Sequence, residues 1–109
     1  MPEEGAIYDE VQRGVRCTFG EVFLTDGRIV ANELYVLDDD KNFATTYNPA
    51  LNVRTEVLER NPKLRDLFND IAADLDSDTL RDLNARVDVD GRRPDEVARS
   101  FLDANGFTG

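Results

Sequence analysis

Between Phe19 and Leu37 the apolar residues crowd together rather than alternate. Phe19-Gly20-Glu21-Val22-Phe23-Leu24 places them on both faces of an extended chain, and Leu34-Tyr35-Val36-Leu37 does so without a break. Such runs predict strands covered on both sides, as in a parallel α/β sheet. Between them, Thr25-Asp26-Gly27-Arg28 predicts a tight turn where the first strand ends. Gly27 would be free to take positive φ there, and the short Thr25 and Asp26 side chains could accept from nearby backbone N–H groups. Ligands in open α/β sheets bind outside such carboxyl ends.

The second half changes period. Leu64, Leu67, Phe68, Ile71, Ala72 and Leu75 repeat at helical spacing after Asn61 and Pro62, a cap residue followed by a first-turn proline, and predict a packed surface helix. A second helix is expected from Ser77, with Leu80, Leu83 and Val87 on one stripe. A third starts at Pro94, buries Val97, Ala98, Phe101 and Leu102, and stops at Asn105-Gly106. Arg93 stands where a capping side chain is expected, so that start is weakly specified.

Several pieces of the chain, taken in order, carry a likeness. They are Thr25-Asp26-Gly27-Arg28-Ile29, Leu37-Asp38-Asp39-Asp40-Lys41 with Phe43 and Tyr47-Asn48, Pro49 through Val53-Arg54, Leu83-Asn84, and Pro94-Asp95-Glu96-Val97-Ala98 with Phe101-Leu102. No piece is specific alone. The ordered set, from about Tyr8 to Phe107, resembles the C-terminal part of the substrate-binding proteins of ABC importers for glycine betaine, choline and related quaternary ammonium osmoprotectants.

The resemblance implies an α/β fold, the C-terminal fragment of a two-lobed, type II periplasmic-binding-protein-like architecture, with few strands followed by about three to four helices. Residues 1–32 would end the second lobe, 33–40 would form a crossover strand, and 41–109 would return to the first lobe as helices. Only part of a clamp is expected in this span, which fits a split gene product or the tail of a polypeptide fusing binding protein and permease. Uncovered apolar surface would follow, and a homodimer or strand-exchanged dimer would cover it.

A quaternary ammonium has no N–H to donate, so proteins hold it against aromatic faces. The resemblance places ligand-contacting residues at Phe23, at the end of the first strand, and Tyr47, in the loop after the crossover, with Thr25 adding a polar contact. Read without it, Phe23 is ordinary core and Tyr47 an ordinary loop anchor. Related proteins carry aromatic-Pro-Pro before the loop tyrosine, whereas this chain has Ala44-Thr45-Thr46, which leaves Tyr47 less preorganised.

Inventory excludes most other chemistry. Only a carboxylate-based hydrolase stays formally open, and it would need two acids facing one cleft, where the acids here mostly lie on solvent faces of helices or in turns. The 109 residues contain no histidine, the single cysteine Cys17, and only Ser77 and Ser100 as serines, so disulfides within the chain, zinc sites and nucleophile–base triads are not available. No enzymatic activity and no cofactor are expected. Asp38-Asp39-Asp40 offers oxygen ligands to a hard cation, but such a triplet at a strand end is more often a solvated turn. Asp88-Val89-Asp90-Gly91 departs from a calcium loop in its glycine position and lacks the closing glutamate. No metal site is therefore assigned.

Net charge is −10. Residues 1–40 hold ten acids against three bases, and 41–109 hold thirteen against ten. Nucleic acid is a disfavoured partner. No apolar run approaches the roughly fifteen to twenty residues of a membrane span or signal core, and Met1-Pro2-Glu3-Glu4 is acidic. The resembling family works outside the cytoplasmic membrane with an ABC permease, so an export signal is expected on other sequence. The alternative reading is a non-ligand-binding interaction or dimerisation module that assembles through exposed apolar surface.

Overall fold

A computed structural model describes residues 5–45 and 49–108. It contains α1 (Ala6–Arg13), α2 (Arg28–Ala31), α3 (Thr55–Arg60), α4 (Lys63–Ala73), α5 (Ser77–Asp88) and α6 (Pro94–Ala104). The chain divides into two units, one formed by Met1–Val36 with Leu75–Gly109 and the other by Leu37–Asp74.

The expected α/β class is corrected, because the described residues form helices and turns but no strand. Residues 19–23 and 34–39 are irregular. A strand is stabilised by hydrogen bonds to a neighbouring strand and by cover on its faces. Neither segment finds such a neighbour among the described residues, and Phe19, Phe23, Tyr35 and Leu37 remain between 64% and 85% exposed. The apolar runs thus satisfy the strand pattern without the partners that would make them strands.

In the first unit, α5 lies against both α2 and α6. Among the described residues, Tyr8, Ile29 and Val97 are the buried apolar ones, one from each of α1, α2 and α6. The stripe Leu80, Leu83 and Val87 of α5 is half-buried. Its cap is Asp76, one residue before the expected Ser77, and the Asp76 carboxylate accepts from the Thr79 N–H at 2.8 Å. Helix α6 starts at Pro94 behind Arg93, which makes no capping bond and instead pairs with Asp95 at 3.1 Å. It ends as its sequence predicts: Gly106 takes φ +75° and its N–H bonds to the Asp103 carbonyl, while the Phe107 N–H bonds to the Leu102 carbonyl. Ala98, expected to be buried, is exposed.

The same closure ends α2 without a glycine. Glu33 adopts φ +52°, its N–H reaches the Val30 carbonyl, and the Leu34 N–H reaches Ile29 at 3.0 Å.

In the second unit α3 lies against α4. Asn61 does not cap α4 through its side chain. It closes α3 instead, its amide donating to the Val57 carbonyl at 3.1 Å. No side chain of either helix is buried, and in the α4 stripe Leu67 and Phe68 are 41% and 36% exposed. No helix among the described residues is long and apolar enough to cross a membrane.

Candidate functional site: the turn before α2

Phe23 and Thr25, two of the expected ligand-contacting residues, belong to one turn. The Asp26 N–H donates to the Phe23 carbonyl at 3.0 Å, which closes a four-residue turn leading into α2. The Phe23 ring is 76% exposed and so does not serve as core, and Thr25 is half-buried. Tyr47, the third expected residue, lies outside the described residues.

Asp26 is the most heavily bonded side chain of the turn. One carboxylate oxygen accepts the Arg28 backbone N–H at 2.9 Å and Nε at 3.0 Å; the other accepts the Tyr8 hydroxyl at 2.7 Å and Arg28 Nη2 at 2.6 Å. The fork of a guanidinium matches a carboxylate in this way, and such charge-assisted bonds are stronger than neutral ones. Asp26 thereby turns the chain into α2, as its short side chain predicts.

The electrostatics follow from these contacts. The Arg28 guanidinium holds the Asp26 carboxyl down at about 2, against the opposing effect of burial, with the Tyr8 hydroxyl and the Arg28 N–H helping. Burial first, and then the bond to Asp26, push the Tyr8 phenol up to about 12. Asp26 in turn raises the Arg28 guanidinium above its ordinary value. Arg28 also stacks 4.5 Å from the centre of the Tyr8 ring. That aromatic face is therefore already occupied by a cation of the chain itself, while the Phe23 ring is exposed.

Gly27 is required for a different reason than expected. Its φ is −62°, an ordinary helical value. What excludes a side chain is α5: a Cβ on Gly27 would sit 2.4 Å from both Cα and N of Ala85. The turn thus rests directly on helix backbone. Two α5 side chains complete the attachment, with Arg81 Nε donating to the Leu24 carbonyl at 2.6 Å and Asn84 Nδ2 to the Thr25 carbonyl at 2.7 Å. Arg81 also bonds Asp78 at 2.8 Å.

Sequence reasoning missed Tyr8, Arg81 and Asn84 as partners of the turn. The bond from the Arg28 backbone N–H to the Asp26 side chain was expected of a short acidic residue in this turn, whereas the guanidinium pair was not read. Arg81 and Asn84, three apart, share a helix face, but nothing local joins them to residues 57 and 59 positions away.

The other candidates resolve as backbone features. Within Asp38-Asp39-Asp40, Asp39 accepts the Ala44 N–H at 2.7 Å, and the Phe43 and Ala44 amides hold its carboxyl below its ordinary value. No three acidic or thiol groups converge on a metal position among the described residues. Asp88 ends α5, and Gly91 at φ +70° belongs to the turn that follows. A shallow groove lined by Arg60, Asn61, Pro62, Lys63, Leu64 and Leu67 contains no aromatic ring and offers no cation–π surface.

Comparison with known proteins now gives these features a family. Residues 1–104 match OpuAC, the substrate binding domain of ABC-type glycine betaine transport system. A glycine-betaine-binding protein of Pseudomonas aeruginosa is 46% identical over 78 residues, covering 72% of this chain and 25% of that protein. The Escherichia coli glycine betaine-binding protein YehZ is 36% identical over 84 residues, 77% of this chain and 28% of its own length. The Helicobacter pylori ergothioneine transport permease/ergothioneine binding protein EgtU is 33% identical over 87 residues, 80% of this chain and 16% of that protein. The chain thus matches between 16% and 28% of the length of these relatives. No solved structure matches it. With nearly its whole length matched, the chain belongs to the family of substrate-binding domains of ABC-type glycine betaine transport systems.

Proposed function

We propose that the chain is part of the substrate-binding component of an ABC importer for glycine betaine, choline or a related osmoprotectant, and that it contributes Phe23, Thr25 and Tyr47 to the ligand site. The observation that carries this reading is the match of residues 1–104 to the glycine betaine substrate-binding domain. The exposed Phe23 ring on a turn anchored to α5 supports it. The names of relatives refer to glycine betaine, carnitine and ergothioneine. All three compounds carry both a carboxylate and a trimethylammonium group, a cation with no N–H that aromatic faces hold at about 0.5 to 2 kcal/mol per ring.

In this reading the protein acts outside the cytoplasmic membrane, performs no chemistry on its ligand, and delivers it to an ABC permease. Residues 33–40 link the ligand turn to the helical return. Tyr47→Ala in the full-length protein is expected to weaken glycine betaine binding at least tenfold while the protein stays folded. An unchanged Kd removes Tyr47 from the site.

One observation favours a second reading. Phe19, Phe23, Leu24 and Tyr35 all leave half or more of their surface exposed, and exposed apolar residues in number mark interaction surfaces. A module that assembles through them would show concentration-dependent size and no response to quaternary ammonium compounds.

A further inference from the structure

The turn bearing Phe23 and Thr25 is fixed from outside itself. Its closing bond, Asp26 N–H to Phe23 carbonyl, leaves the two carbonyls in between, those of Leu24 and Thr25, without a partner inside the turn. Each accepts instead from an α5 side chain, Arg81 at 2.6 Å and Asn84 at 2.7 Å. Two consecutive peptide planes are thereby set by donors that share a helix face. The next residue, Gly27, has no room to shift toward Ala85. The Thr25 side chain hangs from the Cα that joins these two planes, and the exposed Phe23 ring stands one peptide before them, on the residue whose carbonyl closes the turn.

We infer that Arg81 and Asn84 are positioning residues for ligand capture, orienting Phe23 and Thr25 without touching the ligand. The inference rests on the reading above, in which Phe23 and Thr25 contact a quaternary ammonium. An aromatic face held in place before the cation arrives loses less conformational freedom on binding, and a small displacement of the ring forfeits much of the contact. Both bonds lie at exposed or part-buried positions. Deleting one is therefore expected to move the turn more than it moves the melting temperature.

Asn84 gives the sharper test, since its side chain bonds the turn alone, whereas Arg81 also pairs with Asp78. Asn84→Asp keeps the size and removes the N–H donor. Asn84→Ala removes the donor while raising helix propensity, and so guards against a misfolded variant. Amide exchange without ligand and NMR titration with glycine betaine would be measured on both variants and on the wild type, each in the full-length protein.

The expected result is at least fivefold faster exchange of the Asp26 amide, with α6 amides such as Phe101 unchanged, and at least fivefold weaker glycine betaine binding. Asn84→Gln, which retains the amide donor, should recover part of the loss. Unchanged Asp26 exchange, or faster exchange spread through α6, overturns the positioning role. So does a wild type and an Asn84→Asp variant that bind glycine betaine equally well, and in that case the ligand site stands. A wild type with no saturable shift for glycine betaine or choline overturns the ligand assignment and with it the role, whatever the exchange data show of the turn.

Discussion

At the Asp26 turn both carboxylate oxygens have donors, the adjacent carbonyls are held by α5, and Ile29 just beyond is 4% exposed. Along α4, in the other unit, no side chain is buried, and the most regular apolar stripe in the chain leaves Leu67 and Phe68 more than a third exposed. The two regions invert the usual expectation, in which periodic apolar segments hold a fold and turns decorate it. Here the turn is the packed element. An amphipathic stripe specifies a helix and the face it would bury, but the cover has to come from another element. The turn's residues specify their own partners, because an aspartate two before an arginine can bond both the backbone and the guanidinium.

The sharpest way to break this contrast is Gly27→Ala. The added methyl carbon would meet Ala85 backbone atoms at 2.4 Å, which no rotamer change relieves. Overpacking against backbone costs about 3 kcal/mol or more. Thermal unfolding by circular dichroism is expected to show loss of the first unit's cooperative transition. A melting curve that matches wild type would mean that the turn does not rest on α5.

Next in size is the charge at Asp26. Its folded value of about 2 lies below the ordinary 3.8. A depressed acid contributes stability that is present above pH 4 and lost as pH falls toward 2, here roughly 2 kcal/mol by linkage. Asp26→Asn is expected to abolish that acid dependence and to cost about 2 to 3 kcal/mol at neutral pH, since it leaves Arg28 without its counter-charge. The Tyr8 phenol works at the other end: raised from 10.0 to about 12, it contributes stability that is lost between pH 10 and 12. Urea unfolding across pH measures both. An acid limb identical in wild type and Asp26→Asn would place the titrating group elsewhere.

The same contrast shows what the sequence revealed and what it hid. Helices α4, α5 and α6 were legible because their periods run three turns and their punctuation is explicit, as at Pro94 and Asn105-Gly106. Helix α2, four residues long, is too short to show a period, and Glu33, just past its C-cap Asn32, takes positive φ where a glycine signal is absent. The two apolar runs were misread as strands because a strand's pattern is local whereas its hydrogen-bond partner is not. The candidate site divides in the same way. Asp26 signals its bond to the Arg28 backbone N–H two residues on, but Asn84 reaches Thr25 across 59. Gly27 was read as a place for positive φ, but its φ is −62°, and the reason it excludes a side chain, the close approach of α5, appears only in three dimensions.

The smallest expected effect tests the other side of the comparison. Ile29→Ala empties a site 4% exposed, and truncating a buried aliphatic side chain costs about 2 to 5 kcal/mol through lost burial and the cavity left behind. Leu67→Ala on α4 removes a side chain already 41% exposed and substitutes the residue with the highest helix propensity, so the two changes nearly offset, leaving about 0.5 kcal/mol or less. Denaturant midpoints of the two variants should differ accordingly. If Leu67→Ala is as damaging as Ile29→Ala at micromolar protein but loses that effect on dilution, the α4 stripe is covered by a second copy of the chain, and the contrast between the units belongs to the monomer alone.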